Sequence, residues 1–527
     1  MTSSFFRNGC ARLQAPSFPL KMLVALVAGA VMVPAMPPYG LWPLLLVGFT
    51  TFYVLLSTLS GWRAFAAGWA FGFGYFACGL YWIANALMVP GNDYAWVYPF
   101  AIAGLPAVLA IFTAVAAVLA RRFAPAGTFA GFLIFCVAFG GMEWLRGHLF
   151  TGYPWNLYGY TWAALLPVAQ LASLGGAYFL TLVTIIWAAL PGYALLAAPR
   201  HAARALIVGV LSFGLVIAFG FIRMDMHPTI LRHDILVRAV QPNIAQEDKW
   251  NPRKAYENFD RHLVLSEPKA ENRDKTTILI WPETAVPFYM MNDPSARVML
   301  RTVMEGYEMP VYLVTGLLRR DSMAGAADDD AKFYNSLVVL NSEAENLAIY
   351  DKAHLVPFGE YIPFQKFMPF GPFVQFSGFV AGDGPRTLSV QALPPFSPLI
   401  CYEVIFPGAA TDRTSADRPQ WLVNITNDAW YGDSMGPRQH FIMTVFRAIE
   451  QGVPVVRAAN TGISGVVDPV GRVIHKASLF TENDANVPLP APLDRPTLFS
   501  RYTDILFFLT LATMLTGGLA LHIRKRL

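Results

Sequence analysis

The stretch SPLICYEVIFP occupies residues 397–407 and joins a short apolar run to a single cysteine, Cys401. Apolar residues in a run of this length are typical of a buried β-strand, so the cysteine is expected at the end of a strand. A thiol in this position has three interpretations: a small buried apolar side chain, half of a disulfide, or a nucleophile. The choice between them depends on which groups the rest of the chain places nearby.

The composition predicts a membrane protein with more than one domain. The chain has 527 residues, of which 55% are hydrophobic and only 14% charged, and its mean hydropathy is +0.42. Soluble proteins carry about 25% charged residues. The formal net charge of +4 gives no reason to expect nucleic acid as a partner. Zinc-type Cys/His spacings, phosphate loops and dinucleotide-binding glycine motifs are absent from the sequence.

Apolar runs of about 20 residues, the length that crosses a bilayer, recur along the chain. We expect eight spans, at about 20–38, 41–60, 65–89, 96–119, 127–144, 165–197, 204–222 and 503–522. The sixth run is over-long, so we expect it to include an interfacial or re-entrant entry. The alternative for residues 1–38 is a cleaved signal peptide, which would leave the topology of the other spans unchanged.

Positive charges orient these spans, because Lys and Arg concentrate in cytoplasmic loops. With both termini cytoplasmic, five clusters lie on the cytoplasmic side: Arg7, Arg12 and Lys21; Arg63; Arg121 and Arg122; Arg200 and Arg204; and Arg524, Lys525 and Arg526. Arg146, at the outer end of a span, is the exception. The expected organisation is therefore a membrane domain at 1–224, an extracytoplasmic domain at 225–497, and a last span with a basic tail at 498–527.

The segment 225–497 predicts a layered α/β domain, because continuous apolar strands alternate with polar helices. Strands are expected at 234–241, 276–283, 311–318, 334–341, 397–403, 421–428 and 453–460, and helices at 252–267, 295–307 and 437–451. Three of the strands, or the segments after them, carry reactive side chains: Glu283, Lys352 with Glu360, and Cys401. A carboxylate can take the proton of a thiol, and a lysine can stabilise an oxyanion. Taken singly, each residue is equally compatible with an ordinary structural role.

The order and contexts of these residues resemble the carbon–nitrogen hydrolase (nitrilase) superfamily, which places a Glu–Lys–Cys triad on an αββα sandwich. The matching segments are WPET (281–284), YDKAHLVPFGEYIP (350–363), ICYE (400–403) and NITNDAW (424–430), within a region that runs from VQPNIAQEDKW (240–250) to NTGISGVVDPVG (460–471). With spans on both flanks, nearly the whole chain is similar to the apolipoprotein N-acyltransferase branch of that superfamily.

The resemblance implies that Cys401 is the nucleophile, Glu283 the general base, and Lys352 the cation that stabilises the oxyanion and favours the thiolate. Supporting or substrate-binding positions are implied at Trp250, Glu360, Tyr402, Glu403, Asn427, Asp428 and Trp430. For the last three, the alternative is a tight turn that shapes the pocket wall. No metal and no organic cofactor are implied.

The implied reaction has two steps. Cys401 takes an acyl group from the sn-1 ester of a phospholipid, and the thioester then acylates the α-amino group of the N-terminal diacylglyceryl cysteine of an apolipoprotein. This implies a multi-pass protein of the bacterial inner membrane with its catalytic domain on the periplasmic side.

An apolar, Pro- and Gly-rich segment follows the lysine, at 360–385. Its side chains include Phe364, Phe367, Met368, Phe370 and Phe373. Leaving a large apolar side chain in water costs about 1.5–3 kcal/mol. The segment therefore either packs under the domain or forms a lipid-facing lid.

Two other functions compete with acyl transfer. A membrane-tethered amidase would use the same triad and release a soluble acid. A transporter with a binding module would explain the Gly- and aromatic-rich spans, but the spans hold few ionisable residues, of which Glu143 is the main one.

Overall fold

The computed structural model describes residues 17–89, 95–321, 332–361 and 378–524. By its contacts the chain divides into two units. The first comprises Met1–Ala84, Pro99–Met226 and Thr497–Leu527, and the second comprises Asn85–Tyr98 and His227–Pro496. The segment Asn85–Tyr98, which joins two apolar runs in the sequence, thus belongs with the second unit.

The α-helices are numbered here in chain order. They are α1 (Phe18–Val31), α2 (Pro43–Leu56), α3 (Gly61–Gly79), α4 (Tyr98–Phe123), α5 (Phe129–Arg146), α6 (Leu166–Ala169), α7 (Ala172–Leu196), α8 (Pro199–Met226), α9 (Gln246–Lys249), α10 (Ala255–Val264), α11 (Pro294–Glu305), α12 (Met435–Gln451), α13 (Leu498–Tyr502) and α14 (Ile505–Arg524).

The first unit is a set of apolar helices, which confirms the predicted helical membrane domain. Among the described residues six helices are long and apolar enough to span a membrane, or seven if α3 and the bent 3-10 helix Tyr81–Met88 form one span with a 47° break. The predicted number of eight is reached only by including α2, which has 14 residues. That is shorter than the roughly 20 residues a helical span needs.

The sixth predicted run is interrupted, as its length suggested. The short helix α6 precedes α7, and Gly176 near the start of α7 has φ 75° and ψ −178°, which breaks the helix there. Glycine adopts this conformation without the steric cost that a Cβ would add.

Close packing of α1 against α3 depends on two glycines. A Cβ on Gly29 would lie 1.9 Å from the carbonyl oxygen of Phe71, and a Cβ on Gly74 would lie 2.0 Å from that of Leu26. Small residues at such positions let two membrane helices approach backbone to backbone, where van der Waals packing holds them.

The second unit contains two β-sheets. The strands are β1 (Leu231–Ala239), β2 (Thr276–Ile280), β3 (Val311–Asp321), β4 (Lys332–Leu340), β5 (Asn346–Asp351), β6 (Phe396–Ile400), β7 (Trp421–Thr426), β8 (Val455–Ala459), β9 (Gly465–Val467), β10 (Val473–Lys476) and β11 (Asn486–Pro490). The six-stranded sheet has the order β11-β1-β2-β3-β4-β5, and the five-stranded sheet has the order β10-β9-β8-β7-β6. β1, β2 and β3 are parallel, as are β6, β7 and β8.

The two sheets face each other across one apolar core. Alternate residues of β1 and β2, such as Val237 and Ile278, pack with Phe396 and Val423 of the other sheet. On its outer face the six-stranded sheet packs against α10 and α11, and α12 contacts β8 and β9 of the five-stranded sheet. The predicted αββα sandwich is therefore confirmed.

Candidate functional site

The side chains of the predicted triad lie at the carboxyl ends of three strands. Glu283 follows β2, Lys352 follows β5, and Cys401 follows β6. β5 is antiparallel to β4, which is antiparallel to β3, so β5 runs in the direction of β2 and β3. Residues beyond the carboxyl ends of such strands meet at one edge, where α/β proteins commonly bind ligands.

Cys401 occupies a strained turn between β6 and the 3-10 helix Cys401–Ile405. Its φ is 51°, in the left-handed region, which costs a non-glycine residue about 1–3 kcal/mol. The residue is only 8% exposed. Its carbonyl oxygen lies 3.2 Å from Nε2 of His440, which is fully buried and anchors the turn from behind.

The carboxylate of Glu283 is held by three donors. Oε1 accepts from Asn335 Nδ2 at 2.8 Å and from Lys352 Nζ at 3.3 Å, and Oε2 accepts from the backbone N–H of Asn427 at 3.0 Å. Gly316 of β3 lets this segment pass close by, because a Cβ there would lie 2.6 Å from the Cα of Glu283.

Lys352 is almost completely buried and lies between two carboxylates. Its Nζ is 3.0 Å from Glu360 and 3.3 Å from Glu283. Nδ2 of Asn335 also donates to Glu360, at 2.9 Å, so that Asn335 and Lys352 both bridge the two carboxylates. Oε2 of Glu360 accepts from the backbone N–H of Val356. The four side chains form one closed network.

The electrostatics of this network place the proton on sulfur in the resting state. Burial raises the pKa of Cys401 far above its ordinary value, Glu283 raises it further, and Lys352 offsets only part of this. Burial acts to raise the pKa of Glu283 too, but Lys352, the hydrogen bond from Asn335 and the nearby Lys249 together lower it. The arrangement therefore pairs a thiol with an ionised carboxylate, and Lys352 acts to lower the pKa of the thiol, the direction that the sequence predicts, without outweighing burial and Glu283.

Glu403 joins the two segments that carry Lys352 and Cys401. Its Oε1 accepts from Tyr350 Oη at 2.7 Å and from the backbone N–H groups of Ala353 and His354, and its Oε2 accepts from the backbone N–H of Ile400 at 2.7 Å. This buried carboxylate thus connects the two sheets directly beside the triad.

Asp428 and Tyr402 lie behind or beside the nucleophile. Asp428 accepts from Arg457 at 2.6 Å and lies 2.9 Å from Nδ1 of His440. Burial acts to raise its pKa, but Arg457 and His440 lower it well below the ordinary value. Tyr402 is buried and packs edge-on against His354 and Phe406. Both residues shape the surroundings of Cys401.

Asn427 contacts two neighbouring polar side chains. Its Nδ2 donates to Oε1 of Gln246 at 2.8 Å, and its Oδ1 accepts from Nδ2 of Asn460 at 3.1 Å. Trp430 lies in the 3-10 helix Asp428–Tyr431, which follows Asn427 directly. Trp250 follows Lys249 directly and is half-buried.

The predicted lid residues Phe364, Phe367, Met368, Phe370 and Phe373 lie outside the described residues. Within the described ranges no group of three or more His, Cys, Asp or Glu side chains is arranged to hold a metal ion.

Three residues of the site were not predicted from the sequence: Lys249, Asn335 and His440. Lys249 is only 4% exposed, and its Nζ donates to the main-chain oxygen of Glu283 at 2.9 Å. Asn335 is the second residue of a predicted strand (334–341), and nothing in the neighbouring sequence distinguishes it. In the EDKW segment (247–250), the family resemblance pointed only to Trp250 as a site residue, so Lys249 was missed.

Comparison with known proteins places this geometry in a family. Residues 236–491 match the carbon–nitrogen hydrolase family and residues 28–190 match the apolipoprotein N-acyltransferase N-terminal domain. An amidase of the nitrilase superfamily from Nesterenkonia AN1 is 21% identical, with 51% of this chain and 93% of the amidase covered and a TM-score of 0.33.

Two relatives match almost the full length. The apolipoprotein N-acyltransferase of Rhodopseudomonas palustris is 37% identical over 92% of each chain. That of Bradyrhizobium diazoefficiens is 38% identical over 96% of this chain and 95% of its own. The chain belongs to the apolipoprotein N-acyltransferase family of membrane acyltransferase enzymes.

Proposed function

We propose that this enzyme moves a fatty acyl group from a phospholipid, through a thioester on Cys401, to the α-amino group of the N-terminal diacylglyceryl cysteine of apolipoproteins. The observation that carries the proposal is the placement of a strained, buried thiol beside the ionised carboxylate of Glu283. The full-length similarity to apolipoprotein N-acyltransferases supplies the substrates.

In the first step Sγ of Cys401 attacks the sn-1 ester carbonyl as Glu283 accepts the thiol proton. The carbonyl π electrons move onto oxygen, and the oxyanion then collapses with cleavage of the bond to the glycerol oxygen. Glu283 returns the proton to that oxygen, so that a lysophospholipid leaves and an acyl thioester remains. Proton transfer concerted with attack suits this site, because the thiol is neutral at rest and the carboxylate is ready to accept.

In the second step the free amine of the acceptor attacks the thioester carbonyl. Glu283 takes a proton from the attacking nitrogen and passes it to the departing sulfur, which restores the thiol and leaves an amide. Water must be excluded while the thioester exists, since hydrolysis would waste the acyl group. The burial of Cys401, Lys352 and Glu283 supports this requirement.

The other predicted positions receive supporting roles in the proposal. Glu360 balances the charge of Lys352, and Glu403 fixes the relative position of the lysine and cysteine segments. Tyr402 and Asp428 support the nucleophile turn from its two sides. We assign Trp250, Asn427 and Trp430 to substrate contact, and the full-length similarity to apolipoprotein N-acyltransferases supports the assignment.

The location follows the charge pattern of the sequence. We propose a multi-pass protein of the bacterial inner membrane, with both termini in the cytoplasm and the αββα domain in the periplasm. Positive clusters between the predicted spans support this orientation.

Mass spectrometry tests the thioester. The intact protein, incubated with phospholipid and no amine, should gain one acyl mass that hydroxylamine removes and that maps to the peptide containing Cys401. Cys401→Ala should gain none, whereas Cys78→Ala, which removes another free cysteine, should be acylated normally.

The same reaction separates the transferase from an amidase-type hydrolase. After a diacylglyceryl-cysteine peptide is added, the acyl group should appear on the peptide amine. Acylation of Cys401→Ala at the wild-type level would refute the thioester mechanism, and release of free fatty acid alone would indicate a hydrolase.

A further inference from the structure

Lys249 places a second buried ammonium at the triad. It ends the short helix α9, and its Nζ donates to the main-chain oxygen of Glu283 at 2.9 Å. The side chain is only 4% exposed. Taking an ammonium out of water is costly unless the charge is paired. A lysine buried in this position therefore needs negative charge nearby to offset that cost.

The charges of the network suggest that role. At rest, Glu283 and Glu360 are two carboxylates that share one ammonium, Lys352, at 3.3 Å and 3.0 Å. These three groups therefore carry one excess negative charge. The positive charge of Lys249 balances it.

Attack on an ester shifts one negative charge from Glu283 to the carbonyl oxygen of the substrate and leaves the net charge of the group unchanged. When Glu283 takes the thiol proton it becomes neutral, and a new negative charge forms on the carbonyl oxygen. Lys352 is still paired with Glu360, so without Lys249 the group would again hold one uncompensated negative charge at the moment of bond formation. In a site shielded from water such a charge is especially unfavourable.

We propose that Lys249 is a positioning residue whose positive charge, held against the backbone of Glu283, compensates the oxyanion that forms when Cys401 attacks. The role rests on the proposed function, because it concerns the acylation step of that reaction. It differs from the role of Lys352, which the two carboxylates already neutralise.

A pH dependence follows from the surroundings of Lys249. Burial lowers its pKa to about 8, even though Glu283 and Cys401 act to raise it. Its titratable neighbours on other elements are Glu283, Cys401 and His262. Glu247 and Asp248 precede it on its own helix, and Asp248 pairs with Lys254. Burial lowers the pKa of His262 to about 4, while the pKa values of Cys401 and Glu283 are shifted away from this range. Loss of a proton near pH 8 therefore belongs to Lys249.

The test measures single-turnover acylation of Cys401 by phosphatidylglycerol in detergent micelles. No amine acceptor is present, and the acylated fraction is read by intact mass over a pH series that spans about 8. The variants are Lys249→Met, which keeps the length and removes the charge, and Lys249→Arg, which keeps the charge at all these pH values. Lys254→Met is the matched control, because Lys254 is 41% exposed and pairs with Asp248.

In the wild type the acylation rate should fall as pH rises through about 8. Lys249→Arg should lose this decline, and Lys249→Met should be slower at neutral pH, by no more than the roughly hundredfold effect of removing a donor that contacts the oxyanion directly. Lys254→Met should match the wild type in rate and profile. Lys249→Met should also lower the thermal midpoint, because it leaves the excess negative charge of the network and the main-chain oxygen of Glu283 without their partner, so the rates are compared at a temperature well below that midpoint.

Each outcome has one meaning. A wild type that gains no acyl group contradicts the proposed function itself. A wild type that is acylated normally, together with an equally fast Lys249→Met or a Lys249→Arg that keeps the alkaline decline, overturns the role of Lys249. If Lys249→Met does not fold, the pH profile of Lys249→Arg decides alone.

Discussion

A carboxylate acts as a base only while it is ionised, and a buried one needs neighbours to remain so. Glu283 has Lys352, Asn335 and the backbone of Asn427 as donors, which outweigh the cost of burial. Asn335 differs from Lys352 in that it adds no charge. It lowers the pKa of Glu283 through a hydrogen bond to that carboxylate, and it also donates to Glu360.

Asn335→Leu should move the acid limb of activity to higher pH. A hydrogen bond to a charged group is worth about 1.5–3 kcal/mol, which corresponds to about one to two pH units in the pKa of Glu283. The sign follows from the lowered pKa of Glu283: removing a donor to the carboxylate weakens the ionised form, so the base becomes protonated at a higher pH.

The measurement is the rate of Cys401 acylation as pH falls. Ser336→Ala is the matched control. Ser336 lies next to Asn335 on the same strand, and its side chain donates a hydrogen bond to Asp351 and none to Glu283. An acid limb that stays at the wild-type pH in Asn335→Leu would show that Asn335 has only a structural role.

The sequence predicts the positions of the triad better than the positions of its neighbours. Lys352 and Cys401 directly follow β5 and β6, Glu283 lies three residues after β2, and each of the three lies in a motif that is visible in the local sequence. Asn335 reaches the site because β4 pairs with β5 in a register that places it beside Lys352, whose backbone N–H donates to its carbonyl oxygen. Lys249 depends on contacts with Glu283 across 34 residues. Neither the strand register of Asn335 nor the long-range contact of Lys249 leaves a recognisable pattern in the neighbouring sequence.

At the scale of elements, long apolar strands are recognisable from the sequence, and short or largely exposed strands are not. The seven predicted strands correspond to β1–β4 and β6–β8, whose apolar runs are typical of buried strands. The strands β5, β9, β10 and β11 were not predicted. β9 and β10 have three and four residues, and β11 contains Pro488 and Pro490, which an edge strand tolerates because one side needs no hydrogen-bond donors.

The prediction at the scale of elements concerns the apolar segment that follows Glu360 and its role in the use of membrane-embedded substrate. Replacing Phe367, Phe370 and Phe373 with Ser should reduce acyl transfer from phospholipid in vesicles more than from a detergent-soluble short-chain ester. The reason is that each lost phenyl group removes about 1.5–3 kcal/mol of favourable contact with an apolar phase, which only the embedded substrate requires.

The ratio of the two rates is the quantity to measure. A control with Leu347→Ser and Val473→Ser changes two exposed apolar residues of the same domain and should leave the ratio unchanged. Equal losses on both substrates in the triple variant would mean that the segment contributes to packing and not to lipid access.

The whole molecule combines an apolar helical unit with a unit of ordinary soluble composition. The windows of α8 and α14 are only 6% and 11% buried although they are strongly apolar, which suits surfaces that contact lipid. The order of the two units in the chain was predictable from hydropathy alone. The number of spans was less so, because hydropathy does not show where a helix ends, as at α2, or bends, as after α3.

The proposed orientation makes a prediction for the whole molecule. The positive clusters between predicted spans resist transfer across the membrane, and the potential across it acts in the same direction. Residues 227–496 should therefore face the periplasm and the first turns of α8 the cytoplasm. Ala416→Cys and Ala203→Cys place a thiol in an exposed position of each segment.

A membrane-impermeant maleimide, applied to intact spheroplasts, should label Ala416→Cys at once and Ala203→Cys only after lysis. The wild type gives the background to subtract, because it keeps the native cysteines, of which Cys78 is exposed and Cys136 and Cys401 are buried. Labelling of Ala203→Cys in intact spheroplasts, with protection of Ala416→Cys, would show that the topology is the inverse of the proposed one. It would also place the thioester on the side of the membrane opposite to the one proposed, so that acyl donor and acceptor would both have to be reached from the cytoplasmic leaflet.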